Sequence, residues 1–266
     1  MDLSCLDTLG VLEIIFPLAY SPLYTSEYFQ AAPATQSSLF IEVEKSIQIG
    51  VEFWSVDKAA TTILFFHGNG ETAADYEYTS SLYNACGINL FFADYRGYGA
   101  SGGKPTVSNM LSDSFTVFLG VRDFLQKEGF SQTLFVMGRS LGSMPAIELA
   151  YHYADEIRGL IIESGSANNF RRLCQNLKVN IDRKLFDQDS LFLNKVKIGQ
   201  IKKPTLIIHS EMDELVPLEE GKELFACSGS PQKRFLIISG AGHNNIMMVD
   251  EELYFGAIQK FILASS

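Results

Sequence analysis

TLFVMGRSLGSMPAIELA, residues 133–150, passes from an unbroken apolar run through Gly138-Arg139-Ser140-Leu141-Gly142 into a helical pattern. The apolar run reads as a strand buried on both faces, and the residues from Ser143 onward read as a helix. A serine held at such a strand-to-helix turn has its hydroxyl exposed and the next backbone N–H aimed at the same space. Small Gly138 and Gly142 permit the tight turn and close packing. Gly-x-Ser-x-Gly occurs a second time around Ser101, between Gly99 and Gly103. There the surroundings, DYRGYGASGGKPT (94–106), are a Gly-rich loop with Pro105 and no helix opening directly behind it. Context therefore assigns Ser101 to a turn and Ser140 to chemistry.

The same alternation extends in both directions. TTILFFHG (61–68), INLFFADY (88–95), GLIIES (159–164), PTLIIHS (204–210) and RFLIISG (234–240) are further runs with the character of buried strands, each ending where a loop should begin. Upstream, SLFIEVEKSIQIG (38–50) and VEFWSVDK (51–58) alternate apolar and polar residues, which suits an antiparallel pair near one sheet edge. Helical patterns fill the intervals: 72–87, 109–129, 143–157, 218–229 and 250–266. Strands alternating with helices predict βαβ units feeding a largely parallel sheet. After GLIIES the chain runs from about Gly165 to Lys203 before the next strand, longer than an ordinary connection, and a small lid is expected there. That segment holds Arg171, Arg172, Lys178, Arg183 and Lys184, best explained as a solvated face, with recognition of an anionic substrate group as the sharper alternative.

Composition narrows the classes. A 266-residue chain that is 47% hydrophobic can bury a large core, and a formal net charge of −10 lacks the basic footprint of a nucleic-acid binder. Cys5, Cys86, Cys174 and Cys227 form no CxxC pair and no zinc-spaced cluster, so free thiols in a reducing, cytoplasmic setting are expected and no metal is. Residues 1–37 carry Asp2 and Asp7 where a signal peptide would be basic, and their apolar run is too short to span a bilayer. We read them as an extension packed on the domain of residues 38–266, membrane or partner contact being the alternative. Nothing in the sequence bears on oligomeric state.

A serine of ordinary pKa needs a base, and the base needs a group that orients it. Of four histidines, His152 lies within a helix, His209 ends a strand where it is expected to fill space, and His67 ends TTILFF. His243, in the Gly-flanked loop GAGHNN (240–245), is placed where ligands gather at the carboxyl edge of an open sheet. The acid should follow the strand PTLIIHS, where EMDELVP offers Glu211, Asp213 and Glu214. Asp213 sits three residues past the strand end, and Glu211 competes on spacing alone.

HGNGE (67–71), DYRGYGASGG (94–103), GRSLGS (138–143), HSEMDELVP (209–217) and GAGHNN (240–245), in that order, resemble the α/β-hydrolase superfamily, and the order Ser-Asp-His is that superfamily's own. More narrowly, the HGNG and DYRGYG pieces look like the compact serine hydrolases that include the eukaryotic protein depalmitoylases. The resemblance spans residue 38 to the C-terminus and leaves 1–37 unsupported. It implies an α/β-hydrolase fold: a mostly parallel sheet of about eight strands flanked by helices, with a small lid insertion at about 165–203. It makes Ser140 the nucleophile, Asp213 the acid and His243 the base. Backbone N–H groups of Leu141 and Asn69, with Gly70 the lesser alternative to Asn69, form the oxyanion hole, while Asp94 and Arg96 brace a turn. The implied chemistry is cofactor-free acyl transfer to water from a carboxylic ester or thioester, with a small-molecule or acyl substrate. Amide cleavage on the same triad, or ligand capture without turnover, are the alternatives.

Overall fold

The computed structural model describes residues 3–20, 37–169, 171 and 193–265. The expected architecture is present: a mostly parallel eight-stranded sheet with flanking helices. The chain divides into two compact units, Met1–Gln132 and Thr133–Ser266.

In the first unit, β1 (Ser37–Glu44), β2 (Ile47–Trp54), β3 (Thr61–Phe66) and β4 (Ile88–Ala93) take the order β1-β2-β4-β3. β1 and β2 are antiparallel, as are β2 and β4, whereas β3 and β4 run parallel. The hairpin turn differs from the sequence reading. It falls at Lys45-Ser46, inside the run 38–50, where Ser46 takes up a left-handed backbone (φ 66°) and the register of β1 against β2 shifts between Glu42 and Glu44. β3 and β4 are buried along almost their whole length, as their unbroken Leu/Ile/Phe runs require.

The N-terminal residues contribute α1 (Leu9–Ile15) and α2 (Pro17–Tyr20), with Leu3, Leu6, Val11, Leu12, Ile15 and Phe16 buried. Phe16 packs edge-on against Tyr95 and Tyr98. α3 (Glu77–Ala85) precedes β4, and α4 (Val107–Lys127) follows the Gly-rich loop. Asp7 reaches the start of α4: its carboxylate accepts the Val107 N–H at 2.8 Å, the Ser108 N–H at 3.3 Å and the Ser108 hydroxyl. A carboxylate there satisfies helix N–H groups that have no intrahelical partner and meets the positive end of the dipole. No helix among the described residues is long and apolar enough to cross a membrane.

The second unit is a parallel sheet, β5 (Leu134–Arg139), β6 (Gly159–Glu163), β7 (Thr205–Ser210) and β8 (Lys233–Ile238), in chain order. Around it lie α5 (Ser143–His152), α6 (Asn194–Ile198), α7 (Leu218–Cys227), α8 (Ile246–Val249) and α9 (Glu251–Ser265). β5, β6 and β7 are fully buried. β8 is not, contrary to the sequence expectation: it closes the sheet, and only Ile238 of its six residues is buried. Most of the expected lid at 165–203 lies outside the described residues. Its two ends meet, the Lys195 N–H donating to the Ala167 carbonyl at 3.0 Å and the Asn194 N–H to Asn169 Oδ1 at 2.9 Å.

Candidate active site

β5 stays apolar to Gly138 and then turns abruptly. A Cβ on Gly138 would lie 2.1 Å from the Gly142 carbonyl oxygen and 2.7 Å from the Ala146 Cβ, so only glycine lets the helix fold back this closely. Ser140 sits at φ 50°, a left-handed conformation that costs a residue with a side chain roughly 1–2 kcal/mol. The Ser143 hydroxyl donates to the Ser140 carbonyl at 2.7 Å and holds the turn.

The structure brings Ser140, His243 and Asp213 together from the ends of β5, β8 and β7. His243 Nε2 lies 3.0 Å from Ser140 Oγ, and His243 Nδ1 lies 2.8 and 2.9 Å from the two Asp213 oxygens. A carboxylate can only accept, so Nδ1 carries the proton and Nε2 presents its lone pair to the serine hydroxyl. Asp213 Oδ1 also accepts the Leu215 and Val216 N–H groups at 3.1 and 2.7 Å. Burial pushes the Asp213 carboxyl up. The hydrogen bond and charge of His243, the Val216 amide and the charge of His209 outweigh it, and the net displacement is below the ordinary carboxylate value.

The rival acids point elsewhere. Glu211 accepts the Gly240 N–H at 3.1 Å, and Glu214 accepts the backbone N–H of His243 itself at 3.3 Å. Ser101 has the structural role expected of it, its hydroxyl accepting the Gly50 N–H of β2 at 2.9 Å. Leu141 follows Ser140 in a single 3₁₀ turn, Ser140–Gly142. Asn69, in the first unit, lies in the loop after β3, where its side-chain amide donates to the Ile14 carbonyl at 2.9 Å. Asp94 accepts the Ala73 N–H at 3.0 Å, and Arg96 pairs with Asp113 and Glu44 at 2.6 Å each.

His209 does more than fill space. Its Nε2–H donates to the Val216 carbonyl at 2.8 Å and lies 3.7 Å from Asp213 Oδ2, so it secures the turn that carries Asp213. α7 lies directly on the ring: a Cβ on Gly221 would sit 2.4 Å from Nδ1. Burial is the largest influence on this imidazole and holds its pKa below the ordinary value against the opposing pull of the Val216 carbonyl and Asp213. Sequence reasoning also passes over Arg139 and Glu163, which end adjacent strands in register. The available signal is a charge inside an apolar strand run, since such a charge must find a partner.

Comparison with known proteins agrees with this architecture. The family described as serine aminopeptidase S33 matches residues 57–184. The human alpha/beta hydrolase domain-containing protein 17B is 33% identical over 209 residues, covering 77% of this chain and 67% of that protein. The mouse protein 17C is 30% identical over 207 residues, covering 76% and 59% respectively. Among solved structures, the Pyrococcus furiosus esterase Pf2001 superposes with a TM-score of 0.71 at 19% identity, over 91% of this chain and 95% of that one. Est1E from Butyrivibrio proteoclasticus, with ferulic acid bound, gives 0.70 at 19% identity, over 85% and 98%. The chain belongs to the α/β-hydrolase superfamily, in the family of the alpha/beta hydrolase domain-containing proteins 17, and is a hydrolase of that kind.

Proposed function

We propose that the protein is a serine hydrolase that cleaves carboxylic esters or thioesters through an acyl-enzyme, with Ser140 as nucleophile, His243 as general base and acid, and Asp213 as the group that orients the base and stabilises its protonated form. The observation that carries this reading is the continuous chain Ser140 Oγ to His243 Nε2 at 3.0 Å and His243 Nδ1 to Asp213 at 2.8 Å. As Oγ attacks the carbonyl carbon, its proton passes to Nε2, and the imidazolium so formed is stabilised by the ionised Asp213. His243 then returns that proton to the leaving alcohol or thiol. Water, deprotonated by the same nitrogen, releases the acid. The Leu141 amide is one oxyanion donor in this scheme. The Asn69 amide is the second on the strength of the family resemblance. The reaction requires no metal or organic cofactor.

Esters are favoured because the structural neighbours include proteins named as esterases, and thioesters because the HGNG and DYRGYG motifs resemble the serine hydrolases that include the protein depalmitoylases. The aminopeptidase description of the matching family favours amide cleavage as the second reading. The four scattered cysteines, which form no CxxC pair, favour placement in the reducing cytoplasm. The test is hydrolysis of a series of p-nitrophenyl esters and acyl thioesters of increasing chain length by wild type, Ser140→Ala and Ser101→Ala. Loss of turnover in Ser140→Ala alone is the expected result. Turnover that survives in Ser140→Ala, or wild-type cleavage confined to peptide and anilide substrates, would reject the nucleophile or the substrate class respectively.

A further inference from the structure

Behind the triad lies a second chain of buried polar groups that the acyl-transfer scheme does not use. Arg139, the last residue of β5, is directly followed by the nucleophile, and it is only 4% exposed. Its Nε donates to Glu163 Oε1 at 2.9 Å, and its Nη2 donates to the backbone carbonyl of His243 at 2.8 Å and to Asn244 Oδ1 at 3.1 Å. Glu163, fully buried at the end of β6, accepts the Tyr254 hydroxyl of α9 with its other oxygen.

A buried ion pair is a poor device for stability, because well-packed apolar residues of similar volume often serve as well or better. What a guanidinium offers that apolar packing cannot is direction: donors in a fixed fork, each aimed at one acceptor. Here the fork joins the strand that carries Ser140 to the loop that carries His243. That loop needs fixing. It opens with Gly240 at φ 73°, and the bonds that brace it, from the Met212 N–H to the Ala241 carbonyl at 2.9 Å and from the Ser210 hydroxyl to the Gly242 carbonyl at 2.8 Å, stop short of the histidine. The His243 peptide is instead held from both sides, Glu214 taking its N–H and Arg139 its carbonyl.

We propose that Arg139, anchored by Glu163 and Tyr254, is a positioning residue that sets the distance from the His243 imidazole to the Ser140 hydroxyl by clamping the His243 carbonyl to the nucleophile strand. The proposal rests on Ser140 and His243 being the reacting pair. Loss of the clamp leaves the substrate pocket intact but lets the base wander, and a misplacement of about 1 Å costs ~10²-fold in rate.

The experiment compares wild type, Arg139→Met, Arg139→Lys and Tyr254→Phe in kcat and KM on one p-nitrophenyl ester, in the rate of Ser140 labelling by a fluorophosphonate, and in thermal midpoint. Arg139→Met should lower kcat and labelling rate together by roughly 10-fold to 100-fold with KM little changed. Arg139→Lys should recover only part of that loss, since its ammonium keeps the charge and can still donate but lacks the rigid fork that fixes both directions. Should Arg139→Met fail to fold, Tyr254→Phe decides, with a several-fold fall in kcat expected in a protein that stays folded at the assay temperature although its midpoint drops. Wild-type kcat in a folded Arg139→Met, or in Tyr254→Phe where Arg139→Met does not fold, overturns the positioning role while leaving the serine hydrolase reading intact. A wild type that neither turns over ester, thioester or amide nor labels at Ser140 overturns both.

Discussion

Replacing Asp213 by asparagine keeps the shape of the acid and inverts its logic. The Leu215 and Val216 N–H groups both point at Asp213 Oδ1 and need an acceptor, so the amide oxygen of the new side chain stays there. Its NH₂ group must then occupy the place of Oδ2, which lies 2.8 Å from His243 Nδ1. A donor facing Nδ1 selects the tautomer protonated at Nε2, and that nitrogen then donates to Ser140 instead of accepting its proton. Restoring the productive tautomer leaves two buried donors facing each other, about 1–3 kcal/mol, and forgoes a charge-assisted hydrogen bond, about 1.5–3 kcal/mol. The sum, about 2.5–6 kcal/mol, corresponds to ~10²-fold to 10⁴-fold in rate. Steady-state turnover of a p-nitrophenyl ester, with a thermal melt as folding control, measures it. Glu211→Gln in parallel should stay within ~2-fold, because that carboxylate serves Gly240 and not the base. If Asp213→Asn kept more than a tenth of wild-type turnover, or Glu211→Gln fell as far, the tautomer reasoning and the choice of acid would both be wrong.

Two further outcomes concern the first unit. Burial, aided by the charges of Glu52 and Asp75 and opposed by the Ala73 amide, pushes the Asp94 carboxyl up from 3.8 to about 7. Between those values the folded state holds a proton the unfolded state has released, so this group's contribution to stability falls as pH rises from about 4 to about 7 and is level above, by at most about 4 kcal/mol. Asp94→Asn should therefore gain in thermal midpoint relative to wild type on going from pH 5 to pH 8, and parallel pH curves would refute the assignment. Asp7→Ala removes the anion from the start of α4 and should cost roughly 0.5–2 kcal/mol, a few degrees in midpoint, with ester turnover at 25 °C retained; an unchanged midpoint would show that this contact contributes nothing to stability.

Much of this was legible in the sequence because the signals are local. An apolar run with one character from end to end announces a buried strand, and five motifs in register place Ser140, Asp213 and His243 at the ends of β5, β7 and β8. The errors arise where the deciding partner is remote. RFLIISG has the composition of an interior strand, yet β8 lies at the edge of the sheet, a matter of topology that composition does not carry. The turn at Lys45-Ser46 lacks the Asn-Gly or Asp-Gly that usually marks a two-residue hairpin. Arg139 looks like an arbitrary residue within Gly-x-Ser-x-Gly until the register of β5 against β6 sets it beside Glu163. His209 likewise acquires meaning only through Val216, seven residues on, and through the helix that covers it.

The left-handed backbone of Ser140 sets activity against robustness. Glycine at that position would release roughly 1–2 kcal/mol of strain in exchange for roughly 0.5–1 kcal/mol of added chain entropy, so the change that removes the proposed nucleophile is also one that should raise the melting temperature. A programme selecting this protein for heat resistance alone would drift toward inert variants at this turn. Any stabilising screen has to track turnover alongside survival, and Ser140→Ala, which keeps the side-chain carbon and hence the strain, is the fair inactive reference for such work.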